Sequence, residues 1–260
     1  MSRSHQARKR FGQHFLSATS VINDIVESIA PNVDDTLVEI GPGHGAITVP
    51  LADTGARLHA VEFDRDLVSP LRDKFAGYDN VTIHEADALK FDFASLGPQI
   101  RVVGNLPYNI STPLLFRLID FKDHIRDLHF MLQKEVVDRM AAAHGNRSYG
   151  RLTIMLGCHM QVQPLFDVPP ESFTPPPKVM SSVVALRPQP DDVYQVSNNE
   201  QFASLVVQAF TKRRKTVRNA LRGVASEDQL ASAGIDPGTR PEQISIAQWV
   251  TLANNLSAKP

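Results

Sequence analysis

The chain has 260 residues, 42% of them hydrophobic, and 27 Lys and Arg against 28 Asp and Glu give a formal net charge of −1. That length and apolar fraction suit one large globular domain or one large and one small, and the near-neutral total excludes a uniformly basic nucleic-acid binder. No stretch approaches the roughly 20 apolar residues that cross a bilayer, Ser2 to Gln6 lack a signal peptide's apolar core, the single cysteine (Cys158) excludes an intrachain disulfide, and the nine histidines show no metal-ligand spacing. A cytosolic protein without a metal is the expectation.

In chain order, the opening stretch carries Arg3, Arg8, Lys9 and Arg10 with no acidic residue. From Thr36 to Gln133 short apolar runs alternate with helix-like segments, the rhythm of strands and crossover helices in a parallel sheet. Strands are expected at Thr36 to Ile40, Arg57 to Glu62, Val81 to Glu85, Arg101 to Asn105 and Asp127 to Gln133. A helix from Asp64 to Phe75 opens on an acidic residue, places Leu67, Leu71 and Phe75 on one face, and should kink at Pro70. Two more strand-like runs, about Met155 to Phe166 and Val179 to Leu186, flank the proline-rich Pro169 to Pro177 and suggest a hairpin at the sheet's edge. After Arg187, Pro188, Pro190 and two aspartates read as a linker. The remainder reads as helices, with a start at Ser226 and a stop near Gly234 and Pro237, and residues 201 to 226 carry Lys212, Arg213, Arg214, Lys215, Arg218 and Arg222 unopposed by any acid. The expected division is therefore residues 1 to 187 and 188 to 260.

Glu39-Ile40-Gly41-Pro42-Gly43-His44-Gly45 follows an apolar strand and precedes a helix, where glycines permit a sharp turn and close approach of backbone to a ligand. The spacing is neither the dinucleotide pattern nor a phosphate-binding loop, since no lysine followed by Ser or Thr is present. The next strand ends in Val61-Glu62-Phe63-Asp64, placing Glu62 where an acid can accept from both hydroxyls of a ribose. A third strand is followed by Ala86-Asp87-Ala88. Alone, Glu62 reads equally as a surface acid and Asp87 as a helix cap; in series with the glycine loop they resemble the class I methyltransferases. That resemblance implies a Rossmann-like α/β sheet binding S-adenosylmethionine, with Gly41 and Gly43 in the loop, Glu62 on ribose and Asp87 on the adenine amine.

The fourth strand delivers Gly104-Asn105-Leu106-Pro107-Tyr108, which resembles the motif of methyltransferases acting on exocyclic amines. An adenine amine is a poor nucleophile because its lone pair is delocalised into the ring. Acceptors such as the Asn105 side-chain oxygen and the Leu106 carbonyl favour the attacking form as positive charge develops on nitrogen. Pro107 stiffens the turn and Tyr108 offers a face for stacking a base. An ordinary strand-to-helix turn with a buried tyrosine is the alternative. Further on, Phe173-Thr174-Pro175-Pro176-Pro177-Lys178-Val179 either sets Phe173 against the other face of a flipped base or serves as a rigid connector.

Lys9 to Leu16, Glu39 to Gly45, Gly104 to Thr112, Phe130 to Val136, Tyr149 to Leu152, Phe173 to Val179 and Lys212 to Leu221 together resemble, in order, the bacterial small-subunit rRNA adenine dimethyltransferases. The resemblance implies that Gln13 to Leu16 closes over the cofactor's methionine end, with His14 and Leu16 touching it. It further implies that Asn105, Leu106, Tyr108 and Phe173 form the target site, with Asn105 also against the cofactor. The substrate it implies is a pair of adjacent adenosines in a hairpin loop near the 3′ end of small-subunit rRNA, each methylated twice at N6 in the immature subunit; a monomer is expected, although the sequence does not fix the oligomeric state. A helix carrying Lys212, Arg213, Arg214, Lys215 and Arg218 would contact rRNA phosphates; without the resemblance that run reads as a solvated face. The rival readings are a DNA adenine methyltransferase and an assembly or transcription factor that acts mainly by binding.

Overall fold

A computed structural model describes residues 14–257. The chain forms β1 (Phe15–Leu16), α1 (Thr19–Ile29), β2 (Thr36–Ile40), α2 (Thr48–Ala52), β3 (Arg57–Glu62), α3 (Arg65–Lys74), β4 (Val81–Glu85), β5 (Ile100–Asn105), α4 (Ser111–Ile119), β6 (Ile125–Gln133) and α5 (Lys134–Met140). There follow α6 (Arg151–Gly157), β7 (Met160–Val168), β8 (Phe173–Thr174), β9 (Ser181–Pro188), α7 (Asn199–Thr211), α8 (Val217–Ala220), α9 (Glu227–Ser232) and α10 (Ile246–Ser257). It divides into two compact units, residues 1–137 with 162–188, and residues 138–161 with 189–260. The chain thus enters the second unit twice, and only its second entry falls near the division expected at residue 187.

The first unit is built on a seven-stranded sheet in the order β4-β3-β2-β5-β6-β9-β7. Strands β2 to β6 pair in parallel, and β9 joins β6 antiparallel. β2 is half-buried only at Thr36 and buried from Leu37 to Ile40, as a central parallel strand covered on both faces must be. In α3 the Asp64 side chain accepts the Asp66 amide N–H as N-cap, and Leu67, Val68 and Leu71 face the core. Pro70 lies inside this helix, which continues to Lys74.

At the start of β5 the buried Arg101 guanidinium gathers three segments. Its Nε donates to both Asp127 carboxylate oxygens at 3.0 and 3.1 Å, its Nη1 to Asp35 at 2.7 Å, and its Nη2 to the Ile29 carbonyl at 2.5 Å. Arg126 donates to the other Asp35 oxygen at 3.0 Å. Charges removed from water persist only when paired and hydrogen-bonded this fully.

Three expectations need correction. Residues 155–157 are helical, inside α6, and the strand begins only at Met160. A short apolar run cannot by itself distinguish a buried helix from a strand, and here the Thr153 hydroxyl accepts the Gly150 amide N–H, capping a helix that buries Leu152, Ile154 and Leu156. The basic run is not one helix: α7 ends at Thr211, Lys212–Lys215 form a turn closed by the Lys215 N–H on the Lys212 carbonyl, and Arg218 lies on α8. Four adjacent cations have no i,i+4 acid to neutralise them, and a helix C-terminus is where cations are tolerated best. Phe173, finally, is a core residue. In the β1–β8 pair Leu16 faces Phe173 and Phe15 faces Thr174, so alternation turns the first two inward, at 6% and 2% exposure.

The second unit has its own core, in which Phe202, Val206, Leu230, Trp249 and Leu252 pack with Tyr149 and Ile154. Ser226 caps α9 in a reciprocal box with Gln229, at the position expected for a helix start. No described helix is long and apolar enough to cross a membrane.

Replacing Arg101 by Ala leaves Asp35 and Asp127 buried without their shared cation. The expected loss is about 3–5 kcal/mol of unfolding free energy, read as a lowered midpoint in urea; a loss below about 1 kcal/mol would show that the cluster does not hold this end of the sheet.

Candidate active site

The carboxyl ends of β2, β3, β4 and β5 open on one cavity of about 350 Å³ in the first unit. Gly41 and Gly43 line it after β2, Glu62 at the end of β3, Asp87 after β4, Asn105 at the end of β5 and Leu106 and Tyr108 after it, with His14 from the segment before β1. Eight residues spread over more than ninety positions thus converge because parallel strands present their successive turns along one edge.

Gly43 has φ +59°, and a Cβ there would stand 3.1 Å from the Phe15 ring. Its amide N–H donates to Glu62 Oε2 at 3.3 Å, while Glu62 Oε1 accepts the Asp64 N–H at 2.8 Å. Glu62 therefore ties the glycine loop to the start of α3. Burial raises its pKa, against the lowering effect of the Asp64 and Gly43 N–H groups, so further donors at this carboxylate would stabilise its charge. Asp87 is half-buried and accepts the Leu89 N–H on Oδ1 at 2.9 Å.

Asn105 Nδ2 donates to the His14 carbonyl at 3.0 Å. That bond fixes which way the amide points and leaves Oδ1 as its acceptor end. Leu106 is 1% exposed and lines the cavity wall. Tyr108 is half-buried, stacks at 5.9 Å on the His14 ring, and shares a 2.9 Å hydrogen bond with the Ser181 hydroxyl. The segment before α1 is pinned in turn: His14 Nδ1–H donates to the Pro175 carbonyl at 2.8 Å, and the Ser17 amide to Ser172 at 2.8 Å. Of the expected site residues, Phe173 lines neither this cavity nor the next. Lys212, Arg213, Arg214, Lys215 and Arg218 are exposed on the second unit. Lys9 to Gln13, and the basic residues before them, lie outside the described residues.

A second cavity of about 340 Å³ shares Phe15, Gly41, Gly43 and Asn105 with the first, and adds Leu16, Ser17, Glu39, His44 and Thr174. Glu39 was not singled out in the sequence, although an acid within the apolar Leu37-Val38-Glu39-Ile40 is a signal in itself. It is 2% exposed, Oε2 has no hydrogen-bond partner, and burial pushes its pKa up to about 7 against the lowering influence of the neighbouring Thr48 hydroxyl.

The model of the ribosomal RNA adenine dimethylase family matches residues 4–258. Two proteins called ribosomal RNA small subunit methyltransferase A are similar along their whole length. That of Methylococcus capsulatus is 53% identical over 97% of this chain and 99% of its own, and that of Nitrosospira multiformis 51% over 96% of each. Among solved structures, a dimethyladenosine transferase from Plasmodium falciparum superposes with a TM-score of 0.80 at 26% identity, covering 92% of this chain and 96% of its own. The 23S rRNA methyltransferase ErmE does so with a TM-score of 0.73 at 26% identity, over 94% and 99%.

Glu39 carries a stability signature. Its folded pKa of about 7 lies above the ordinary 4.5, so its contribution is fully present below pH 4.5 and is lost as pH rises through 7. Without ligand, Glu39→Gln should leave stability at pH 5 little changed and raise it at pH 8 by up to about 3 kcal/mol. Thermal melts across that range read the difference, and parallel curves for the two proteins would exclude a buried carboxyl that ionises late.

Proposed function

The chain belongs to the ribosomal RNA adenine dimethylase family, and on that premise we propose how its first cavity carries out the reaction. The protein is an S-adenosylmethionine-dependent methyltransferase that dimethylates adenine in small-subunit rRNA. The cavity's donors and acceptors fit that cofactor: Gly41 and Gly43 leave the backbone bare, and the paired oxygens of Glu62 and the carboxylate of Asp87 stand on neighbouring strand ends. Glu62 would take the ribose hydroxyls and Asp87 the adenine amine, with His14 and Leu16 closing the methionine end. When bound, the cofactor supplies a methyl group on a sulfonium, whose departure leaves neutral sulfur.

The observation that carries the assignment of the target site is the Asn105 amide, held by the His14 carbonyl with Oδ1 left to accept. In the first transfer one N–H of the target amine donates to Oδ1 and the other to the Leu106 carbonyl, and in the second the single remaining N–H keeps one of these bonds; this localises the lone pair on nitrogen for attack and stabilises the charge that forms there, and each cationic product then loses a proton to water. No general base is needed to make the bond; alignment supplies most of the advantage. Tyr108 gives the extruded base a flat apolar face. The preferred targets are two adjacent adenosines in a hairpin loop near the 3′ end of the rRNA, because single-stranded loop bases unstack at least cost. Lys212, Arg213, Arg214, Lys215 and Arg218 hold rRNA phosphates of the immature subunit, in the cytoplasm. We take the enzyme to be a monomer that needs no metal.

Labelled methyl groups should enter immature small subunits as dimethyladenosine, with mature subunits and duplex DNA unlabelled. Monomethyladenine in DNA would move the enzyme to another substrate class, and no product with intact binding would favour an assembly factor. Asn105→Ala should lower kcat by about 100- to 1,000-fold while immature subunits still bind.

Binding to those subunits should weaken with salt. Each of Lys212, Arg213, Arg214 and Lys215 changed to Ala should reduce the slope of log K against log salt by about 1; a slope unmoved by all four changes would remove this turn from the rRNA interface.

A further inference from the structure

Tyr108 is held at three points. Its carbonyl accepts the Ser111 hydroxyl at 3.1 Å, its ring lies 29° from parallel with that of His14, and its own hydroxyl meets Ser181 Oγ at 2.9 Å. The third contact is the one with no backbone purpose. Ser181 opens β9, is 0% exposed, and pairs with Gln133, the last residue of β6. Any residue would serve that pairing, and the positions that follow, Val183, Val184, Ala185 and Leu186, are buried and apolar. A buried hydroxyl costs stability at such a place unless it finds a partner. Its neighbour Ser182 finds one within the sheet, donating to the Phe166 carbonyl at 3.2 Å. Ser181 instead reaches across to the phenol in the turn after β5.

The consequence lies in what the ring does. A stacking platform works by presenting one plane in one place, and a tyrosine on a turn has two side-chain torsions free to move that plane. Ser111 fixes the backbone under the ring but not the ring itself. The Ser181 hydroxyl, seated between two paired strands, fixes the ring's far end.

We propose that Ser181 is a positioning residue of the methyl transfer: its hydroxyl locks the Tyr108 ring in the plane against which the target adenine stacks. The proposal rests on the reading of Tyr108 as the base platform. It makes the Tyr108 hydroxyl an anchor with no chemical part in the reaction, and it brings β9, none of whose residues lines the cavity, into the positioning of substrate.

The test is a double-mutant cycle on the full chain, with immature small subunits as substrate and cofactor affinity and thermal melting measured alongside. Ser181→Ala and Tyr108→Phe should each lower kcat by about tenfold with cofactor affinity unchanged, and the double variant should lose no more than either alone. Additive losses, or an unchanged kcat with a lowered melting temperature, would make Ser181 a purely structural residue. Tyr108→Phe reads the same bond from the other side should Ser181→Ala fold poorly. Tyr108→Ala separates the proposal from its premise. An undiminished rate there defeats the platform itself, whereas a large loss with Ser181→Ala and Tyr108→Phe both at full activity defeats only the positioning.

Discussion

The site depends on how closely the ends of β2 and β5 approach one another. A Cβ on Gly104 would lie 2.5 Å from the Ile40 carbonyl oxygen, a distance no side chain tolerates, and one on Gly41 would lie 3.8 Å from the Asn105 carbonyl. The strand that delivers Asn105 therefore needs glycine one residue earlier, for a neighbour's sake and not for its own conformation. β2 and β5 are also the strands between which the sheet order changes direction, with β3 and β4 on one side and β6 on the other. Turns leaving adjacent strands toward opposite sides open a crevice between them. The narrow gap at Gly104 sets its floor, so the glycine loop and the Asn105 turn emerge side by side.

The two ends of this sheet divide stability from function. At the amino end, Arg101 is hydrogen-bonded to Asp35, Asp127 and the main-chain carbonyls of Ile29 and Ala30. At the carboxyl end, polar groups are buried but incompletely met: Glu39 keeps an oxygen without a partner, and Glu62 is satisfied only by backbone N–H groups that tie its own loop together. An under-satisfied carboxyl in a low-dielectric site costs the free protein stability and is relieved by a ligand that brings donors or positive charge. The cost is carried by a scaffold whose opposite end holds its buried charges as ion pairs.

The parallel core was legible in the sequence because each strand ran from an apolar stretch into a turn bearing one unusual residue: Gly41, Glu62, Asp87, Asn105. The errors have one physical source. Periodicity describes what a segment buries, and a fully buried segment has none, which is why residues 155–157 read as strand. Phe173 misled for the converse reason: an aromatic in a proline-rich stretch looks available, and only its pairing opposite Leu16 turns it inward. The basic run was visible as charge but not as shape, since the turn at Lys212–Lys215 depends on where the apolar stripe of α7 stops. Ser181 and Ser182 are indistinguishable as neighbours in sequence, and the contact that separates them spans 73 positions.

The orientation of Asn105 shows why a motif is not yet a site. An amide has a donor end and an acceptor end of nearly equal shape, and half a turn about its last bond would present NH₂ to an incoming amine, donor against donor. Nothing within Asn-Leu-Pro-Tyr selects between the two. The selection comes from the His14 carbonyl, 91 positions away, which can only accept and so claims the donor end. His14 is held for this purpose by the Pro175 carbonyl and Ser17 by that of Ser172, so the polarity of the proposed catalytic amide is set by a strap that crosses from the start of the chain to the turn before β9. On the proposed reading of Asn105, a strap that loosened would leave the motif unchanged and its acceptor undefined, so its docking would bear on the chemistry as well as on the cavity.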